Sequence, residues 1–232
     1  MGKTKTYNIN GVTIKLPLEI LTPSLRKAFD SGKYEHLEAR QVPRFMRDKD
    51  RLLEVGGGVG FISSLASKSF ELDDCTVIEG NPGLIEVILD THRVNNVNAN
   101  VLNCIAVSPT TKTQLQPSQD GTVPFYIRKN FWGSSLSNKT NYEKIIKVPI
   151  IDFQTLIDQH KPTVIICDIE GGELNLFEEV DLSNVRSILI EVHKAEIGLA
   201  GIDRLISALS KVGLTYNPNF SVGAVILFSK ED

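Results

Sequence analysis

The chain has few residues of the kinds that mark secreted, membrane or nucleic-acid-binding proteins. Only three of its 232 residues are cysteines, and they lack metal-ligand spacing, so we expect neither a disulfide framework nor a cysteine metal site. No signal peptide or membrane span is indicated, which favours a cytoplasmic location. The 25 basic residues form no long run and are outnumbered by 28 acidic residues, which argues against nucleic acid as a partner.

The composition is that of one enzyme-sized domain. With 41% apolar residues, the chain can bury a full core without disulfides. We predict a single domain over residues 1–232, with an N-terminal extension at 1–48 and a lid-like insertion at 109–147. After the extension, apolar strands alternate with amphipathic helices, which predicts an α/β fold with a doubly wound, Rossmann-like, mostly parallel sheet.

The apolar pattern also places the individual elements. Two final strands joined by a polar loop predict an antiparallel C-terminal hairpin, and Asn10-Gly11 predicts another hairpin within residues 6–16. Predicted strands lie near 51–55, 75–79, 100–104, 163–168 and 187–193, with the final pair at 214–216 and 222–228. Predicted helices lie near 61–69, 83–95, 152–160, 172–179 and 201–212, after a short helix that starts at 25–29.

A glycine-rich turn follows the first core strand. Gly56, Gly58 and Gly60 remove side chains where a ligand and a helix approach the backbone, and the helix amino end suits an anionic group. A dinucleotide fingerprint requires its third glycine where Phe61 stands, so the pattern closes one residue early. Glu54, two residues before the turn, fits a ligand with an ammonium group.

The second core strand ends in an acid at the spacing expected for ribose binding. Glu79, followed by Gly80 and Asn81, can accept both ribose hydroxyls. We expect an adenine ring near the end of the next strand, at Ala106 and Val107. Together with the altered glycine turn, these positions indicate S-adenosylmethionine as the cofactor.

Acidic residues follow the strand predicted at 163–168. Asp168, Glu170 and Glu173 surround two glycines at its end, where ligands of an open parallel sheet bind. The strand predicted at 187–193 ends with Glu191 and His193, which share a face. Asp168, His193 and Glu191 are the catalytic candidates, because a general base must reach the acceptor, and Glu170 is expected to shape the acceptor pocket.

These acids also offer hard oxygen ligands for magnesium. The alternative is that Glu173 caps or salt-bridges the helix that follows it. We favour that alternative and expect no obligatory metal.

The insertion contains the only tryptophan of the chain. Trp132 can stack on a sugar ring or anchor the insertion to the domain, and Ser134 and Ser135 follow it closely. An insertion of this length between two strands is typically functional or disordered, so we expect it to cover the site.

In this order, the motifs resemble those of the FkbM family of S-adenosylmethionine-dependent methyltransferases. The resemblance extends from about Tyr34 to His193 and implies a class I methyltransferase sheet, with Glu35 near the methionine end of the cofactor. Two departures are Glu54, where the family more often has Asp, and Ile166, where it usually has Lys. The matching motifs are Tyr34-Glu35, Glu54 to Gly60, Glu79 to Pro82, Ala106 to Ser108, Gly133 to Leu136, Asp168 to Glu173 and Glu191 to His193.

The resemblance implies O-methylation of a hydroxyl on a sugar or glycosylated small molecule. A methyltransferase for a non-sugar natural product remains open. A nicotinamide-dependent sugar oxidoreductase would show the later third glycine and a tyrosine-lysine pair. A non-catalytic cofactor-binding protein would lose the strand-end acids. The N-terminal hairpin or the insertion could supply a homodimer surface.

Overall fold

Twelve strands and eight helices form the part of the chain that the computed structural model describes, which is residues 2–136, 138 and 141–231. The strands are β1 Thr4–Ile9, β2 Val12–Pro17, β3 Arg51–Val55, β4 Asp74–Glu79, β5 Asn100–Asn103, β6 Ile105–Val107, β7 Thr122–Ile127, β8 Lys144–Asp152, β9 Val164–Cys167, β10 Ser187–Glu191, β11 Thr215–Val222 and β12 Val225–Ser229. The helices are α1 Pro23–Asp30, α2 His36–Phe45, α3 Phe61–Ser69, α4 Pro82–Val94, α5 Pro109–Leu115, α6 Phe153–His160, α7 Glu173–Leu176 and α8 Lys194–Lys211.

Seven strands build the central sheet in the order β11-β12-β10-β9-β3-β4-β5. Five of these strands, β3, β4, β5, β9 and β10, run parallel, and β12 pairs antiparallel with both β10 and β11. Successive side chains of a strand point to opposite faces, so Leu52 and Leu53 enter two different apolar cores. Helices α2, α3 and α4 contribute to one core and α6, α7 and α8 to the other. The predicted doubly wound α/β fold is confirmed.

Several predicted elements differ from the observed ones. Strand β11 extends through residues that were predicted to form a polar loop. A shift in its pairing register with β12, between Asn217 and Val222, accommodates these residues within the strand. Helix α7 is only one turn, and α8 begins earlier than predicted and bends at Gly198, whose φ is +68°. The sequence pattern missed α2, which begins after a left-handed Glu35 and contains Pro43.

The insertion forms a small sheet of its own. Strand β8 pairs antiparallel with β7 and parallel with β6, so residues beyond the insertion also belong to this three-stranded unit. Phe125 of β7 lies against Gly80, which brings the unit to the end of β4. No helix in the described ranges is long and apolar enough to cross a membrane.

A buried carboxylate contacts the starts of three strands, at the end of the sheet that lies opposite the glycine turn. Asp50 is 4% exposed and accepts hydrogen bonds from the backbone N–H of Arg47 at 2.7 Å and from the hydroxyl of Thr163 at 2.7 Å. Arg186 donates to both of its oxygens through Nε and Nη2. Asp50, Thr163 and Arg186 stand at the starts of β3, β9 and β10, so this contact fixes the register of the strands that carry the site.

We expect Asp50→Asn to lower stability by about 2–4 kcal/mol, because it leaves a partly buried guanidinium without its counter-charge. For a chain of this size, that corresponds to a fall in Tm of roughly 4–15 °C. Asp30→Asn breaks the exposed pair with Lys5 and is the matched control, with an expected Tm change within about 2 °C. Equal Tm values for Asp50→Asn and the control, measured by calorimetry, would contradict the role of Asp50.

Candidate active site

A cavity of about 620 Å³ opens at the carboxyl ends of the central strands. The small sheet of the insertion and the start of α8 close its sides. Its volume lies within the range of small-molecule sites. The predicted site residues that line it are Glu35, Gly56, Gly58, Glu79, Gly80, Ala106, Val107, Ser134, Ser135, Asp168 and Glu170.

The glycine turn touches the end of the neighbouring strand. Gly56 has a φ of +94°, and a Cβ on it would lie 1.9 Å from the carbonyl oxygen of Asp168. Only glycine allows this approach, because any side chain would separate β3 from β9. Gly60 has a different neighbour, since a Cβ there would lie 3.2 Å from Nε2 of His92 on α4. Gly56 therefore shapes the cavity, whereas Gly60 permits close packing of α3 against α4.

Glu79 lies on the other side of the turn, at the end of β4. Its Oε2 accepts a hydrogen bond from the N–H of Gly58 at 3.0 Å, and its Oε1 accepts one from the N–H of Asn81 at 2.6 Å. Burial raises the pKa of Glu79 to about 7, against the lowering effect of these backbone donors. Asn81 itself accepts from the N–H of Gly83 and caps α4 outside the cavity lining.

Glu54 lies away from the cavity, although the sequence pattern assigned it to the cofactor. It is 3% exposed and receives hydrogen bonds from the side chain and backbone of Ser63 on α3. Burial raises the pKa of Glu54 to about 8. In this structure Glu54 connects β3 to α3 behind the glycine turn.

The N-terminal extension supplies part of the cavity wall. Glu35 has a φ of +44° and turns the chain into α2, and its Oε1 lies 3.2 Å from where a Cβ on Gly58 would stand. The hydroxyl of Tyr34 is 2.8 Å from the same point. Burial raises the pKa of Glu35 well above its usual value. The extension therefore closes over the glycine turn, and the approach of Glu35 to the methionine end of the cofactor stays a prediction.

Carboxyl groups from two strand ends surround His193. Its Nε2 lies 3.6 Å from Oδ1 of Asp168 and 3.7 Å from Oε2 of Glu170, and its Nδ1 lies 3.5 Å from Oε1 of Glu173. Glu191 joins them, with ligand atoms of Asp168, Glu191 and His193 all within 4.8 Å of one another. The predicted catalytic residues thus lie together, with His193 and Glu191 just behind the lining formed by Asp168 and Glu170.

The pKa shifts in this cluster have two opposing causes. Burial alone would lower the pKa of His193, but Glu173, Asp168 and Glu170 raise it to about 9. Burial and the charge of Glu191 raise the pKa of Asp168 well above its usual value. The pKa of His193 and the pKa of Asp168 are both raised, so each group keeps its proton at a higher pH than usual. The cluster therefore favours added positive charge.

Sequence reasoning missed Glu38, which belongs to the same cluster. Glu38 lies on α2, is 5% exposed and interacts with Glu191 by a side-chain hydrogen bond. Burial and this acidic neighbour raise the pKa of Glu38 to about 7. Glu38 follows Glu35 by about one helical turn, so it could have been predicted to lie near Glu35. That prediction requires the helix α2 to be recognised first.

The insertion forms the wall that faces the strand ends. Phe131, Ser134 and Ser135 line the cavity, and Ser135 exchanges backbone hydrogen bonds with Tyr126 at 3.0 and 3.2 Å. The backbone of Trp132 belongs to a 3-10 turn over Phe131–Gly133, whereas its side chain lies outside the described structure. The stacking role predicted for Trp132 therefore stays a prediction.

A scan of protein families matches residues 54–214 to the methyltransferase FkbM domain, which is more than half of the chain. The chain belongs to the FkbM methyltransferase family. S-adenosylmethionine is its cofactor, as the glycine turn and Glu79 indicated. No curated protein sequence matches the chain.

The chain is also similar in fold to several solved structures. Wild-type Trm5b from Pyrococcus abyssi has a TM-score of 0.49 and 13% identity, over 98% of this chain and 56% of that one, so this chain spans little more than half of Trm5b. Precorrin-6y C5,15-methyltransferase from Geobacter metallireducens has a TM-score of 0.48 and 12% identity, covering 84% and 88% of the two chains. TYW2 from M. jannaschii, in complex with AdoMet, has a TM-score of 0.45 and 12% identity, covering 100% and 88%.

The residues of the FkbM chain fit a nucleoside cofactor. Glu79 offers a carboxylate to ribose hydroxyls at one side of the turn, and Ala106 and Val107 offer an apolar wall for a base. Gly58 keeps open the space between Glu79 and Glu35, since a Cβ on it would crowd Tyr34 and Glu35.

We expect Glu54→Gln to stabilise the protein at pH 8 by at least about 2 kcal/mol, or roughly 4–8 °C in Tm. The folded state favours the neutral form of Glu54, so the cost of its charge grows as the pH rises from its usual pKa to about 8. At pH 5 the variant and the wild type should melt within about 2 °C of each other. The control Glu86→Gln on the exposed side of α4 should show no such pH dependence, and a variant destabilised at pH 8 would contradict the assignment.

Proposed function

We propose that the protein transfers a methyl group from S-adenosylmethionine to a hydroxyl of a sugar or glycosylated small molecule. The observation that carries the proposal is the position of Asp168. It lies in the cavity wall beside the glycine turn, with Nε2 of His193 3.6 Å from its Oδ1. A carboxylate at this place reaches both the cofactor side and the acceptor side of one cavity.

The bound cofactor supplies an electrophilic methyl group on a sulfonium centre. The residues of the chain must align an acceptor oxygen with that methyl group and take up the proton of the hydroxyl. Asp168 accepts the hydrogen bond of the hydroxyl, and the carboxylates beside it provide sites for the proton. His193, whose Nε2 lies 3.6 Å from Oδ1 of Asp168, and Glu191, which lies beside both, act as positioning residues.

The part of the cavity wall that the insertion forms suits a hydroxylated acceptor. Ser134, Ser135 and Asn138 offer hydrogen-bonding groups, while Phe131 and Tyr126 offer ring surfaces. Sugars bind to such a combination of polar side chains and aromatic faces, because a sugar ring has hydroxyls at its rim and C–H groups on its faces. A polyhydroxylated natural product without a sugar presents similar groups, so it is the second candidate acceptor.

Methyl-labelled S-adenosylmethionine should transfer its label to a glycan, glycolipid or glycoside fraction of a metabolite panel. An ether product resists mild alkali, whereas a methyl ester releases its label, so alkali treatment separates hydroxyl from carboxyl acceptors. We expect Asp168→Asn to reduce transfer about 100- to 10,000-fold, because an amide cannot take up the proton of the acceptor hydroxyl.

The matched control is Asp120→Asn, an exposed acid in the turn before β7 that should leave transfer unchanged. Calorimetry should show that Asp168→Asn still binds the cofactor. Label confined to proteins or nucleic acids, or transfer by Asp168→Asn at the wild-type rate, would refute the proposed function.

Cofactor binding should weaken about tenfold between pH 8 and pH 6. The ionised form of Glu79 is the better acceptor for two ribose hydroxyls, and with a pKa of about 7 it falls from roughly nine-tenths to one-tenth of the protein over this interval. Titration calorimetry at both pH values measures the ratio. Glu79→Gln should bind more weakly at both pH values and lose the pH dependence. A variant that keeps the full pH dependence would remove Glu79 from the explanation.

A further inference from the structure

Three side chains lie close together at the acidic side of the cavity, with Asp168 in its lining and Glu191 and His193 just behind it. Asp168 directly follows β9, Glu191 is the last residue of β10, and His193 directly precedes α8. One ligand atom from each lies within 4.8 Å of the other two. Two carboxylates and an imidazole are common ligands of divalent cations.

The spacing of these atoms fits a six-coordinate ion. Ligand atoms about 2.1–2.2 Å from such an ion stand roughly 3 Å apart when adjacent and roughly 4.3 Å apart when opposite. Nε2 of His193 is 3.6 Å from Oδ1 of Asp168, which lies between these two values. The other two separations are at most 4.8 Å, so side-chain rotations that move these atoms by about 1 Å would bring all three onto one ion.

A separate observation concerns the far side of the imidazole. Glu173 is fully buried, and its Oε1 accepts a hydrogen bond from the backbone N–H of His193 at 2.8 Å and lies 3.5 Å from Nδ1. Its Oε2 is buried and has no hydrogen-bond partner among the residues described. A buried carboxylate at Nδ1 orients Nε2 toward a metal in many metalloproteins, since the ligating histidine donates its other N–H to such a group.

The charge of the cluster also favours a cation. Glu38, which is 5% exposed, interacts with Glu191, and Glu170 lies 3.7 Å from His193 on the cavity side. Carboxylates gathered in a partly buried space repel each other unless protons or a cation compensate them. A divalent ion between Asp168 and Glu191 would compensate two of these charges at once.

We propose that Asp168, Glu191 and His193 bind a divalent cation of the Mn²⁺ or Mg²⁺ type, with Glu173 as the positioning residue behind His193. This inference departs from our expectation from sequence that no metal is required, because that expectation took Glu173 for a helix cap. It extends the proposed function, since the remaining coordination positions of the ion would face the acceptor side of the cavity. An acceptor hydroxyl on such an ion would lose its proton more readily.

The test is Mn²⁺ binding to the purified full chain after chelator treatment, measured by electron paramagnetic resonance and calorimetry without cofactor or acceptor. We expect one Mn²⁺ per wild-type chain. His193→Ala and Glu191→Gln should abolish binding, and Glu173→Gln should weaken it about 10- to 100-fold. Bound Mn²⁺ should enhance the relaxation of water protons, because the site keeps open positions.

Glu86→Gln is the control for non-specific binding to acids and should bind Mn²⁺ like the wild type. Circular dichroism confirms that each variant is folded before its titration. Absence of wild-type binding at millimolar Mn²⁺, or unchanged binding in the His193→Ala and Glu191→Gln variants, would overturn the cation site. Methyl transfer without Mn²⁺ binding would refute only this inference, whereas Mn²⁺ binding without methyl transfer would refute only the proposed function.

Discussion

The site depends on the direct contact between the turn after β3 and the end of β9. Gly56 lies so close to the carbonyl of Asp168 that no side chain fits between them. Because β9, β3 and β4 are neighbours in one parallel sheet, this contact places Asp168 and Glu79 on either side of a single loop. The cavity, its side at Glu79 and its acidic side at Asp168 all follow from that arrangement.

The carboxyl groups at the acidic side of the cavity repel each other and lower the stability of the folded state. Interactions elsewhere in the fold have to offset this loss. Asp168, Glu170, Glu173 and Glu191 lie close together, and Glu38 adds a fifth carboxyl group from another helix. The opposite ends of the same strands are stabilised by Asp50 and Arg186, whose charges compensate each other. Opposite charges are therefore paired where the strands begin, whereas like charges repel each other where the site lies. Functional sites often lower stability in this way.

The sequence predicted those parts of the molecule whose signals are local. Strands β3, β4 and β9 are short apolar runs followed by glycine or acid, so their existence and their ends could be predicted. The long final strand β11 could not, because a register shift hides its alternation. Glu54 was misleading for a physical reason: a strand residue next to a ligand loop can face either side of the sheet, and this one faces α3.

Helix α2 shows why Glu38 could not be predicted from the sequence. Its start requires a left-handed Glu35, and Pro43 weakens its pattern, so it reads as irregular chain. Yet Glu35 lines the cavity and Glu38 reaches Glu191, although the family match begins only at residue 54. The residues shared with the family thus form the cofactor side and the strand-end acids, whereas the preceding segment closes the cavity over the glycine turn. Because Glu38 contributes a carboxyl group to the cluster from α2, the charge of the cluster is set partly by a segment that precedes the matched residues 54–214.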